Sequence, residues 1–390
     1  MDMHAKRWTI VSWPLLVMAV VVGCASTPTT KENAQPTDQR VYFPPPPDPP
    51  RLQFLASFNR GDAWSKQQRQ KTSLSKWIIG EEQKAGSQPT SIDTPYGIDA
   101  YKGRFYICDV GLNAIHVVDA AAGSYKRLGA PDGFKNPVNL TIDRRNDTKY
   151  VCDSEARMVL VFDANDNFVR QFGDPQKLMP LDLAIGNDEL YIADLLDAEV
   201  EVWSMSGQYV RSISRKGPGP DELEEPTNLA VGPDGRIFVT DTLGQQVKVF
   251  DRGGNFLGAI GTPGDQVGSF ARPKGIAIDP QGHIYVVDAQ HGVVQIFNAD
   301  GQVLLVISGQ GGNAPGLMLP AGVAIDNTSL DAFKRYIAPS FQAEYLVFLV
   351  NQYGENKVAV YAFGRSSNVS SDAYEVGANK PTEASPPPAP

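Results

Sequence analysis

The residues best equipped for chemistry occupy one recurring place in the chain. Gly97, Asn139, Asp182, Asn228, Gly275 and Gly322 each stand two positions after a proline that opens a repeated unit. Three consecutive copies therefore offer a carboxamide, a carboxylate and a carboxamide. Hard cations such as calcium take oxygen donors of this kind, so Asn139, Asp182 and Asn228 form a candidate metal site. The same side chains also suit local turns or bound water, and no Glu completes the set. Imidazole chemistry has less to work with. Of four histidines, His4 lies in an N-terminal leader and His283 in an outer Gly-His-Ile-Tyr turn. His116 fills a third-strand slot held elsewhere by Leu160, Glu201, Lys248, Gln295 and Ala359, which reads as tolerant and partly exposed. Only His291, in the loop after Asp288, is expected beside an axial opening. A zinc site built from histidines needs several converging imidazoles.

The elements that must position these groups are repeats. Pro95, Pro137, Pro180, Pro226, Pro273 and Pro320 are separated by 42, 43, 46, 47 and 47 residues. Such periods belong to propeller blades. Three residues after each proline stands an aliphatic (Ile98, Leu140, Leu183, Leu229, Ile276, Val323), opening a first strand. A second strand follows, as in Tyr191-Ile192-Ala193-Asp194, and a third alternates, as in Val247-Lys248-Val249-Phe250. Period two with aromatic and β-branched residues means strand. A fourth strand follows five units. Arg51-Leu52-Gln53-Phe54-Leu55-Ala56-Ser57-Phe58 has the pattern that the sixth lacks. The predicted fold is all-β, a six-bladed β-propeller whose N-terminal strand closes the last blade and removes the open edge.

Every second strand ends in an acid or its amide: Asp109, Asp153, Asp194, Asp241, Asp288 and Asn351. A residue required in each copy is most simply a turn former. The acidic loop Asp221-Glu222-Leu223-Glu224-Glu225 occurs once, so Asp221, Glu222, Glu224 and Glu225 are candidates for docking a basic partner. Two departures from the repeat add aromatic candidates. Trp77 lies in a long insertion between Phe58 and Pro95, and Phe333 and Tyr336 lie in the stretched sixth unit. On short amphipathic helices these are exposed anchors or lids packed on the ring, and both insertions are expected on one binding face. Cys108 and Cys152 share one slot in adjacent blades and are expected as free thiols.

A net charge of −9 without a basic run argues against nucleic acid as a partner. Lys6 and Arg7, the apolar stretch Ile10 to Val22, and Val21-Val22-Gly23-Cys24 resemble the signal and lipobox of bacterial lipoproteins. That resemblance implies cleavage after residue 23 and a Cys24 carrying palmitate-type acyl chains. With Ala25 next, it implies the outer membrane, in a leaflet the sequence leaves open. Residues 24–50 read as a tether whose Pro44–Pro50 run extends as polyproline II, residues 51–364 as the propeller, and 365–390 as a tail too low in complexity to build a core.

The repeats resemble NHL repeats over Arg51 to Gly364. The proline-rich opening with Arg51-Leu52-Gln53-Phe54-Leu55 also resembles propeller lipoproteins of anaerobically respiring bacteria, often encoded with multihaem cytochromes. No Cys-x-x-Cys-His occurs, so the chain itself is not expected to carry covalent haem. NHL-type rings serve as binding platforms or, with metal ligands round the axis, as lactonase-like hydrolases and lyases. The expectation is a lipid-anchored scaffold that binds an envelope protein, such as a c-type cytochrome, and needs no cofactor. The alternative is a divalent-metal hydrolase or lyase on Asn139, Asp182 and Asn228, with calcium as the ion.

Overall fold

The computed structural model describes residues 40–369 except 46, 65–89 and 310–315. Cys24, Trp77 with its insertion, and the tail from residue 370 lie outside the described residues. Six antiparallel sheets surround one axis. In blade 1, Pro95–Tyr101 is innermost, followed outward by Arg104–Asp109, Ala114–Asp119 and Ser124–Leu128. Blades 2 to 5 repeat this order from Pro137, Pro180, Pro226 and Pro273. Each proline begins its strand, a position that asks nothing of the missing N–H.

Burial explains why the sequence was so regular. Second strands such as Ile284–Asp288 are buried at every position, because both faces pack against neighbouring blades. Outer strands such as Phe168–Phe172 alternate, because one face meets water. Blade 6 is closed as expected. Leu52–Phe58 pairs with Val358–Ser366, from Leu52 opposite Phe363 to Phe58 opposite Val358. Cys108 and Cys152 are buried and unbridged.

The sheet of blade 6 also takes in Tyr42–Phe43, opposite Leu52 and Gln53. Arg51 N–H donates to the Phe43 carbonyl at 2.8 Å. The proline run is therefore the turn of a hairpin folded back on the ring and not an extended stalk, because its two ends are held as neighbours across a ladder. The sixth unit is long partly because its second and third strands are long: Phe341–Asn351 and Val358–Ser366 stay paired down to Phe341 opposite Ser366. Only Leu330–Phe333 is helical there, a single turn.

The two insertions leave the ring on opposite faces. Residues 59–94 join an outer strand to the next inner strand, on the face we call upper; residues 327–340 join an inner to a second strand, on the lower face. Phe333 is fully buried, its ring 5.7 Å from Phe105 and 5.9 Å from Phe348. It seals the gap between blades 6 and 1 and is no exposed anchor. Tyr336 packs beside it at 6.3 Å, and its carbonyl accepts from Gln53 Nε2.

The second-strand acids act as staples. Asp153 accepts from the N–H groups of Lys135 (2.7 Å) and Asn136 (2.8 Å) in the loop arriving from blade 1, and of Ala156 (3.0 Å) in its own turn. Asp153→Ala leaves these three donors without an acceptor. A loss of about 3 kcal/mol or more in chemical unfolding is expected, with Asp153→Asn in between.

Candidate functional site

The three side chains singled out from spacing do converge on the axis. Blades 2, 3 and 4 place Asn139, Asp182 and Asn228 side by side, all buried. Asp182 Oδ1 accepts from Asn139 Nδ2 at 2.6 Å and from Leu183 N–H at 2.7 Å. Its Oδ2 accepts from Asn228 Nδ2 at 3.2 Å and from Leu229 N–H at 3.0 Å. The Asn139 oxygen turns away to Leu140 N–H. What meets at Asp182 is thus one anion and four N–H donors, the surroundings of a carboxylate held in place. Asn228 Oδ1 is buried without a hydrogen-bond partner, so one acceptor on the axis is left open.

The other half of the ring is backbone. A side chain at Gly275 or Gly322 would strike the carbonyl of Ala321 or Tyr96 at about 2.5 Å, and one at Gly97 would meet the Asn139 amide. Glycine is needed here so that inner strands of blades 5, 6 and 1 can touch. Asp99 adds a further link between blades, accepting from Ile142 N–H at 2.9 Å and pairing with Arg144. Burial dominates the acid chemistry. It raises the Asp99 carboxyl, and it pushes Asp182 up to about 7 against the pull of its hydrogen bonds.

The third-strand slot corrects the expectation of exposure. His116 is fully buried, with Nε2 3.0 Å from Asp109 Oδ2 and Nδ1 2.9 Å from the Tyr125 hydroxyl. Lys248, also buried, donates to the carbonyls of Gly219 (3.0 Å) and Glu222 in the acidic loop. Gln295 does the same for the next loop, bonding Gly268 N–H and the Ser269 carbonyl, both at 2.8 Å. In blades 4 and 5 the slot lies beneath loops of the upper face, and Lys248 and Gln295 hold those loops down. His291 lies on that face as expected, between Asp288 (2.9 Å) and Asp265 (3.1 Å). The Asp265 hydrogen bond leads in holding its pKa above the usual value.

In blade 3 the slot holds Glu201, and sequence reasoning missed the consequence. Glu201, Glu199 and Asp194 bring carboxylate oxygens within 4.8 Å of one another. In blades 1 and 4 the corresponding partner of the acid is His116 or Lys248; here it is a second acid. Burial raises all three, Glu201 to about 7, although Trp203 Nε1 donates to it at 2.7 Å. Among the described residues these three acids could hold a divalent cation. The signal available in sequence was the Glu-x-Glu at 199 and 201 opposite the invariant-looking Asp of the repeat.

The acidic loop splits by role. Glu222 accepts from Gly219 N–H (3.0 Å) and Arg215 Nε (2.6 Å), and so closes its own loop. Glu224 and Glu225 give their backbone N–H groups to Asp241. The Asp221 and Glu224 side chains remain exposed, and that of Glu225 is half-buried.

A family model described as a 6-bladed beta-propeller matches residues 231–308. No curated protein matches the sequence. Among solved structures, the chain is similar to a structural genomics protein of unknown function from Bacteroides thetaiotaomicron (12% identity, 79% of this chain and 75% of that one, TM-score 0.56). It is also similar to a gluconolactonase from Xanthomonas campestris (16% identity, 70% and 86%, TM-score 0.52) and to a catalytically inactive virginiamycin B lyase from Staphylococcus aureus with quinupristin (14% identity, 70% and 96%, TM-score 0.50). At such identities the likeness is one of fold, and the fold is a six-bladed β-propeller.

The Asp182 carboxyl gives a pH test. Its pKa in the folded chain, about 7, lies above the ordinary 3.8, so the folded state keeps the proton longer than the unfolded one. This acid therefore makes stability fall as pH rises from about 4 to about 7. In thermal unfolding across that range, Asp182→Asn should show a shallower fall than the wild type. Parallel curves would remove the assignment.

Proposed function

We propose that the chain is a binding platform which engages a partner protein through the upper face of the ring. The observation that carries this reading is the placement of exposed apolar side chains. Of ten exposed large apolar side chains among the described residues, Leu112, Leu243, Val267, Met318 and Tyr353 (36%, 62%, 71%, 54% and 61% exposed) stand in upper-face loops or turns, five lie along outer strands and none is in a lower-face loop. Leu243 follows the Asp241 that holds Glu224 and Glu225, so the apolar points adjoin the exposed acids Asp221 and Glu224. Apolar anchors within a polar rim are the usual composition of a protein interface. The acids would steer a partner whose docking surface is basic.

The lipobox-like start supports a membrane-bound form acylated at Cys24, in the outer membrane of a bacterial envelope. The NHL-like repeats and proline-rich opening support an envelope partner of the c-type cytochrome kind, within an electron-transfer assembly. A metal-dependent hydrolase or lyase centred on Asn139, Asp182 and Asn228 would require a cation to displace four N–H donors from Asp182, an exchange that buried donors oppose.

Purification of the acylated chain from its native membranes in mild detergent tests the reading, with mass spectrometry and metal quantification on one sample. A stoichiometric partner is expected, lost from the double variant Asp221→Lys, Glu224→Lys. About one calcium per chain, absent from Asp182→Ala and with no partner present, would replace the platform with the enzyme.

A further inference from the structure

Two cations, Arg272 and Lys274, stand at the upper mouth of the axis with no carboxylate of the described residues in contact. Position one after the repeat proline reads Tyr96, Val138, Leu181, Thr227, Lys274 and Ala321 round the ring. Lys274 of blade 5 and Tyr96 of blade 1 flank Ala321 of blade 6, whose methyl leaves the space between them open. The result is a recess of about 70 Å³, lined by Tyr96, Arg272, Lys274, Ala321 and Gln352 among others. Ala289, Leu319 and Pro320 complete its lining.

Lys274 is half-buried, and its Nζ donates to the Tyr96 hydroxyl at 3.3 Å. An ammonium has three donors, so two remain for a ligand. Tyr96 accepts that bond and keeps its own proton to give. Arg272, two residues earlier, is exposed at the rim. Among the described residues, no carboxylate lies within 4.0 Å of either cation; Glu225 acts on Lys274 from further away. Among the described residues the two fully buried lysines are both answered: Lys149 by Asp166 at 2.6 Å, Lys248 by Asp241 and two carbonyls. Leaving an ammonium partly desolvated with only a phenol is costly, and an incoming anion would remove that cost.

We infer that this mouth is a binding site for a small anion with a carboxylate-sized head, held by Lys274, Arg272 and the Tyr96 hydroxyl. The recess, of about 70 Å³, has room for a carboxylate head beside the donors of Lys274, Arg272 and Tyr96. Burial, with Arg272 adding to it, also holds the Lys274 pKa below its usual value, a strain that a bound anion relieves.

Thermal unfolding of the full chain tests this, with sodium acetate or sodium phosphate titrated against chloride at constant ionic strength. Acetate should raise Tm along a saturable curve. Lys274→Gln should weaken the derived constant about tenfold or more, Arg272→Gln less, and Lys274→Arg by only a few-fold. Glu225→Gln should tighten it by removing a repelling charge. Arg236→Gln, on the lower face and paired with Asp234 at 2.6 Å, should leave it unchanged. The site is overturned by a response equal in wild type and Lys274→Gln, by no saturable response to acetate, or by one to phosphate alone. Lys274→Arg guards against misfolding of the glutamine variant: folded but unresponsive, it too would count against the site.

Discussion

The ring depends on the side chain that ends each second strand, a carboxylate in five blades and the Asn351 amide in the sixth. A strand end, the turn after it and the loop arriving from the preceding blade are three segments with no mutual ladder, and one side chain joins them. Asp109 takes the N–H groups of Asp93, Thr94, Gly111 and Leu112; Asp241 takes those of Glu224, Glu225 and Gly244; Asp288 those of Ala271, Arg272, Gln290 and His291. Blades of a propeller touch only their neighbours, so cohesion must be rebuilt at each junction. A buried carboxylate is an expensive way to do so unless its acceptor sites are filled. What lies beneath it varies. Under Asp109, burial pushes the carboxyl up, but His116 and the backbone donors outweigh it and leave the pKa below the usual range. Under Asp194 stand Glu199 and Glu201 instead, and burial wins.

The axis shows the same economy with a broken symmetry. Blades 2, 3 and 4 meet through the Asn139, Asp182 and Asn228 side chains, whereas blades 5, 6 and 1 meet through glycine backbone. Both arrangements close the centre at one level, and neither could serve all six positions. Six side chains would overfill the axis, and six glycines would leave it without cross-links. The asymmetry makes the two halves of the upper mouth chemically different. On the glycine side, the residues one step before each glycine, Tyr96, Lys274 and Ala321, line one recess, and Lys274 reaches across it to the Tyr96 hydroxyl.

The repeat was legible because both its signals are physical necessities. Proline starts an inner strand where no donor is needed, and the acid ends a second strand where donors crowd. The closing strand was legible because residues 51–58 supply the apolar strand pattern that the sixth unit lacks, although burial along Leu52–Phe58 does not alternate as in other outer strands, since Tyr42–Phe43 pairs beside it. Side-chain direction was not. His116, Lys248, Glu201 and Gln295 look like solvent residues by type, yet all are buried: loops fold over Lys248 and Gln295, while Tyr125 bonds His116 and Trp203 bonds Glu201. Those loops make long-range contacts that no local pattern reveals. The convergence of Asn139, Asp182 and Asn228 was readable from spacing; the direction of their amide nitrogens, which decides between ligand set and hydrogen-bonded anchor, was not. The choice for Phe333 between anchor and packing stayed open for a similar reason, since an aromatic in an insertion packs or protrudes according to the gap beneath it, and here it packs.

These constraints leave function to the loops, and they also prepare the loops for it. Inner and second strands are occupied in holding the ring together, so their positions have little freedom. The loops before blades 4 and 5 share one construction: parallel bridges between Lys216 and Leu223 and between Pro263 and Phe270, with Leu223 and Phe270 fully buried as plugs. Lys248 and Gln295 tie each loop from below. Asp221 and Val267, between these fixed points, and Glu224, whose N–H is held by Asp241, are thereby displayed on backbone already ordered. A partner meeting such a surface pays little entropy for arranging it, and ordering cost is what most often separates buried area from affinity. The stapling that builds the propeller is therefore also what makes its upper face fit to bind.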